Sequence, residues 1–421
     1  MNLPESLLSR AARWLTFGSA AAIMFSIAVS QILLALAFAA LLASGEPLRI
    51  PRIKWPLALF ILGTLVSLAF SGDPAAGLPQ VRKFFVFLEL VVVFSAMRDL
   101  RIVRWLFLCW AGIGALTAVR GFVQFAGKVR EAHELGRSFY DYYVAERITG
   151  FTSHWNTYSA EEMFALIMVG AYLLFAPRQR RTWVWVLCGL LIAGAVLLGE
   201  TRGVWIAVAA AALYMVWFWR RWMVALVPLA ILVGYLASPA SIRSRFTSIV
   251  RPANVDSNQF RIVTWRTGIR IIEQHPLLGL GPEGVKNHFL EYVPADVPRP
   301  LPAGWYGHLH NIYLHYAAER GIPTMLVLMW LLLQIVFDCW RGLRALPPGP
   351  GNRKFLLHGA IAVVIATMVE GFVELNLGDS EVLTMFLVVV ACAYLALEKE
   401  VAQTDVGPAS ASAGLQSRAA Q

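Results

Sequence analysis

The chain has 421 residues, of which 58% are hydrophobic and 15% charged, where an average soluble protein carries about 25% charged residues. Apolar runs of near-spanning length recur from end to end, which excludes a soluble enzyme fold and points to an integral membrane protein. The net charge of +10 therefore has to be read against membrane topology before any nucleic-acid partner is invoked, and none is expected.

In chain order the apolar runs lie at 14–44, 55–71, 84–97, 105–126, 161–176, 182–199, 203–219, 222–237, 322–340, 355–375 and 381–397. The first is 31 residues without a charge, so it is either one strongly tilted helix or a hairpin of two. Charge arbitrates. Basic clusters occur at Arg10/Arg13, Arg49/Arg52/Lys54, Arg98/Arg101/Arg104, Arg178/Arg180/Arg181, Arg220/Arg221 and Arg341/Arg344/Arg353/Lys354, and short cytoplasmic loops concentrate such clusters. Splitting the first run puts every cluster on one side. The expected architecture is an all-α polytopic membrane protein of about 12 transmembrane helices with both termini cytoplasmic. It forms one transmembrane domain over 1–400, followed by a disordered cytoplasmic tail over 401–421 rich in Ala, Ser, Gln and Gly. The four cysteines, Cys109, Cys188, Cys339 and Cys392, sit in apolar runs and read as packing residues, not as a zinc site or a disulfide framework.

Two long segments face outward in this arrangement, 127–160 and 238–321. Both are basic, against the rule that gathers cations inside: Lys128, Arg130, Arg137 and Arg147 in the first, and Arg243, Arg245, Arg251, Arg261, Arg266, Arg270, Lys286 and Arg299 in the second. An anionic partner is implied, either lipid headgroups or a phosphorylated substrate. Ile262, Trp265, Ile269 and Ile272 recur at helical spacing and predict an amphipathic surface helix ending near His275 and Pro276. Gly279, Gly281, Pro282 and Gly284 then mark a turn region, and Pro298, Pro300 and Pro302 a stiff extended stretch.

Three features carry chemistry. Arg202, in Gly199-Glu200-Thr201-Arg202-Gly203 between two spans, reads either as a headgroup contact or partner of Glu200, or as a rigid guanidinium fork for phosphate oxygens. His310 lies near the membrane surface, where an imidazole with an ordinary pKa of about 6.5 can accept a proton from a substrate. With His308 it could instead ligate a metal, but neither carboxylate nor cysteine is nearby in sequence. Glu161-Glu162 could bind a divalent ion, yet no DxD motif accompanies them and a capped helix start is the simpler reading.

His310-Asn311, nine residues, Gly321, two residues, Thr324 resembles the H[NSQ]x9Gxx[GTY] signature of bacterial O-antigen ligases, within the family that also holds O-antigen polymerases and protein O-oligosaccharyltransferases. Thr201-Arg202-Gly203, Arg261 to Trp265 with His275 to Gly281, and Arg147 to Gly150 with His154 to Asn156 are similar to further family segments, so the resemblance covers about 140–330. It implies a metal-independent glycosyltransferase without a cofactor, acting at the periplasmic face of the inner membrane in lipopolysaccharide biosynthesis. The donor would be an undecaprenyl-pyrophosphate-linked glycan and the acceptor a lipid A core sugar, amid membrane lipids. His310 would be the catalytic base, Arg202, Arg261 and Arg147 would bind pyrophosphate, and Asn311 and Gly321 would complete the signature. Thr324 favours ligase over polymerase or protein O-oligosaccharyltransferase. A transporter or polyprenyl-lipid flippase is the alternative from another class. It would need ionisable groups within the bilayer, for which Glu89, Arg120, Glu370 and Glu374 are the candidates.

Overall fold

A computed structural model describes residues 6–238, 240–250 and 256–398. Among them there are seventeen α-helices and no strand. The expected tail at 401–421 lies outside the described residues.

The first apolar run is a hairpin of α1 (Leu7–Ala22) and α2 (Ile27–Ala43), each started by a serine cap, Ser6 and Ser26. Ser19 and Ser30 each donate a hydrogen bond to the other's carbonyl at 2.9 Å, and Ser19 also donates to Glu89 at 3.0 Å. Such hydroxyl bridges join helices where apolar surface gives no drive to associate. After α3 (Lys54–Ala69) and α4 (Pro74–Arg82), the run expected at 84–97 is a 3₁₀ segment over Lys83–Phe87 leading into the nine-residue α5 (Leu88–Ala96). The 35-residue α6 (Leu100–Glu134) is about 52 Å long, well beyond a hydrocarbon core of about 30 Å. The outward segment placed at 127–160 therefore begins as a continuation of this helix.

After α7 (Phe139–Ala145), α8 (Trp155–Phe175) starts six residues before its apolar run, capped by the His154 side chain on the Asn156 N–H at 3.2 Å. This corrects the reading of Glu161 and Glu162: they lie inside the helix and are buried, with Glu162 accepting from Thr117. Next come α9 (Thr182–Leu198) and α10 (Arg202–Arg220), then a 3₁₀ segment over Arg221–Leu226 that leads into α11 (Val227–Ala237). The segment between α11 and the last three helices supplies α12 (Ala240–Val250), α13 (Asp256–Gln274) and α14 (Gly284–Tyr292). The predicted amphipathic helix is thus present and ends where expected. The chain closes with α15 (Ile312–Arg344), α16 (Asn352–Glu370) and α17 (Ser380–Leu397). Among the described residues six helices, α6, α8, α10 with its continuation to Leu229, α15, α16 and α17, are long and apolar enough to cross a membrane, while α2, α3 and α9 are apolar but shorter, at 17, 16 and 17 residues. The protein is a multi-pass membrane protein built on α8, α16 and α17, the most buried of these.

Gly321 breaks α15 with φ 80° and ψ 159°. A Cβ there would stand 1.9 Å from the Leu277 carbonyl oxygen, so only glycine fits. The segment after α13 docks on the break through backbone bonds: Ile322 N–H to Pro276 O at 2.8 Å, and Leu280 and Gly281 N–H to Ala318 and Glu319 O, both at 2.9 Å. Carbonyls released by the break are thereby satisfied, as burial requires. A separate apolar cluster of Val263, Ile271, Val285, Phe289, Leu309 and Ala318 fastens the α13–α14 segment to the first half of α15.

Candidate active site

The docked segment that follows α14 delivers His310 to the start of α15. Asn311 caps that helix by accepting the Leu314 N–H at 3.0 Å and ties it to the end of α16 by donating to Phe372 O at 3.0 Å, while Ile312 N–H reaches Gly371 O at 2.7 Å. His310 itself is left-handed, with φ 46°. A non-glycine residue held there is strained, a condition that clusters at functional sites.

Its Nδ1 lies 3.2 Å from Glu374 Oε1 and 3.3 Å from Oε2. A carboxylate can only accept, so Nδ1 carries the hydrogen and Nε2 of the neutral ring keeps its lone pair, the tautomer a general base requires. Glu374 is itself fixed by Asn156 Nδ2 at 2.8 Å and the Leu375 N–H at 3.1 Å. Burial pushes its carboxyl up, but the hydrogen bond from His310, the charge that His310 and His308 carry when protonated, and the Arg261 charge outweigh that and hold it at about 2. His308 accepts the His310 N–H on Nδ1 at 3.2 Å, and burial keeps its imidazole neutral, with a pKa lowered to about 4.

His310 and Glu374 stand in the wall between two cavities, together with Trp155, Asn156 and Phe260. One cavity, of about 490 Å³, is lined by Arg147, Arg202, Arg245 and Arg261. Arg202 donates to Asn258 at 3.0 Å, Arg245 donates through Nε to Glu200 O at 3.0 Å, and the Arg147 guanidinium lies 4.0 Å from the Trp155 ring centre. Burial and the neighbouring Arg245 charge lower the Arg147 pKa to about 9, and burial lowers that of Arg261. Four guanidinium groups crowded together form a site that gains from a polyanion. The other cavity, of about 660 Å³, has a mixed lining that includes Lys83, Lys286, Arg320, Glu283 and Asp379.

The fold therefore gathers His310, Arg147, Arg202 and Arg261 into one place. Asn311 and Gly321 shape the backbone around them. Two residues were not picked out as part of this site. Arg245 is one basic residue among many in its segment, with no distinguishing neighbour in sequence. Glu374 was considered as a carboxylate within a span, whereas α16 ends at Glu370 and leaves Glu374 beside the histidines. It also supplies the carboxylate that the sequence neighbourhood of His308 and His310 lacks: ligand atoms of His308, His310 and Glu374 lie within 4.8 Å of one another. Their donor set suits a transition metal, and their hydrogen bonds equally describe a base with its orienting carboxylate.

The family model described as O-Antigen ligase matches residues 187–329. This part of the chain is similar to the O-antigen ligase family. The matched stretch holds Arg202, Arg245, Arg261, His310 and Gly321, whereas Arg147, Asn156 and Glu374 join them from outside it. No curated protein matches the chain.

Proposed function

We propose that the protein transfers an O-antigen glycan from undecaprenyl pyrophosphate to a lipid A core sugar at the periplasmic face of the inner membrane. The observation that carries this reading is His310, backed by Glu374, in the wall between an arginine-lined cavity and a second cavity with room for an acceptor. The donor pyrophosphate occupies the arginine cavity. Nε2 of His310 takes the proton of the acceptor hydroxyl as its oxygen bonds to the anomeric carbon, and the bond from that carbon to the pyrophosphate oxygen breaks with its electron pair going to the leaving group. Charge on the pyrophosphate grows along this path, so Arg147, Arg202, Arg245 and Arg261 stabilise the transition state more than the bound donor. Glu374 holds the ring in its reactive tautomer and offsets the imidazolium charge that forms. A single displacement inverts the anomeric centre, and no metal enters it.

Purified protein reconstituted with undecaprenyl-pyrophosphate glycan and three acceptors tests this directly: lipid A core, a periplasmic protein, and a second lipid-linked glycan. Glycosylated lipid A core, formed also in excess chelator, is the expected product. Elongated lipid-linked glycan would make it a polymerase and glycosylated protein an oligosaccharyltransferase. Loss of activity in chelator with recovery in Mg²⁺, Mn²⁺ or Zn²⁺ would replace the arginine-only account of charge neutralisation.

A further inference from the structure

A larger cavity, of about 790 Å³, lies at the other end of the same helices. From the histidine site α8 runs to Phe175, α10 to Arg220 and α15 to Arg344, while α16 runs back from Asn352 toward Glu370. The 19 residues of α16 rise about 28 Å, so the two sites are separated by roughly the thickness of a hydrocarbon core. Among the described residues the charged lining is entirely basic, with Arg178, Arg220, Arg344 and Lys354, and no Asp or Glu contributes to it. Among the described residues none of the four enters a salt bridge.

Offsetting helix dipoles accounts for only part of this charge. Three helix C-termini and one N-terminus meet here, at about half a charge each, a net of about −1 against four full positive charges. The cavity also has a fixed polar floor. His358, 8% exposed, is stacked on Phe175 with centroids 4.0 Å apart and bonded to the Tyr214 hydroxyl at 3.0 Å. Phe218, Trp219 and Trp340 complete an aromatic side next to the cations. A free anion would use the cations and leave that aromatic side idle, whereas an amphiphile uses both.

We propose that this cavity binds the phosphate headgroup of an anionic membrane phospholipid, on the opposite side of the membrane from the proposed transfer site. The test uses full-length protein in a neutral detergent, titrated with phosphatidylglycerol and followed by native mass spectrometry, and it does not depend on glycan transfer. One phosphatidylglycerol should bind per chain, phosphatidylcholine should not bind at the same concentration, and Arg178→Ala/Arg344→Ala/Lys354→Ala should weaken binding at least about tenfold. Arg10→Ala/Lys54→Ala/Arg101→Ala removes as much charge from elsewhere and should leave binding within about twofold. Equal losses in the two triple variants, or equal binding of phosphatidylcholine, would overturn the site. Displacement of the lipid by sub-millimolar inorganic phosphate would overturn the lipid assignment in favour of a free anion. If the cavity variant does not purify as a single species, Lys354→Glu is titrated instead, and unchanged lipid binding by it would overturn the proposal.

Discussion

Glu374→Gln keeps the size of the side chain and removes its charge. A carboxyl held at about 2 in place of an ordinary 4.5 means that the folded site favours the carboxylate, relative to water, by about 3 kcal/mol. The favourable partners are His310, His308 and Arg261. Glutamine can present either an oxygen or an amide N–H to Nδ1 of His310, so the tautomer is no longer dictated, and the imidazolium formed during proton transfer loses its counter-charge. The expected loss in transfer rate is about 10²- to 10⁴-fold, the span of a positioned general base. Donor binding should change little, because the arginines remain. Glu374→Asp should recover part of the rate, and the pH profile of Glu374→Gln should move relative to the native one, which a purely structural defect would not produce. The assay is single-turnover transfer with saturating donor in proteoliposomes. A Gln variant with near-native rate and an unmoved pH profile would refute the orienting role of Glu374.

Arg202→Lys and Arg261→Lys keep charge but lose the planar fork; each should cut transfer at least about tenfold with normal membrane insertion, measured on reconstituted protein. Gly321→Ala sets a Cβ 1.9 Å from Leu277 O at a φ of 80°; little folded protein should be recovered, as read by size-exclusion yield and thermal unfolding in detergent. The His308 pKa is about 4 when folded and about 6.5 when unfolded. Its contribution to stability is therefore complete above about 6.5 and lost as pH falls toward 4, because the unfolded chain binds the proton first. Between about pH 7.5 and 5.5 that loss is about 1 kcal/mol. It should appear as a difference in apparent unfolding midpoint between native protein and His308→Gln, a comparison that cancels the opposite contribution of Asp379, whose carboxyl burial raises to about 6.

Much of this was legible in the sequence because membrane helices announce themselves locally. Charge placement was enough to split the first apolar run, and the structure has α1 and α2 there with Ser26 capping the second. Isoleucine and tryptophan spacing was enough for α13. Helix lengths were less legible. The polar ends of α6 and α8 continue past their apolar runs, where hydropathy gives no signal and local capping, as by His154, sets the boundary. The glycine-rich turn after α13 was visible, but its docking on the break at Gly321 was not, since backbone bonds between segments about 40 residues apart leave no local periodicity. The site divided in the same way. His310 and the arginines Arg202, Arg261 and Arg147 stood out by motif, whereas Glu374 comes to His310 from 64 residues away and Arg245 sits among many basic neighbours.

The central claim is that His310 removes the acceptor proton, and His310→Ala in the reconstituted reaction with lipid A core tests it most directly. Transfer should fall at least about 10²-fold while expression and donor binding stay near native, and His315→Ala and His308→Ala should be milder because neither carries the base. Near-native transfer to the same acceptor by purified His310→Ala would contradict the account and leave His310 as a strained connector before the Asn311 cap.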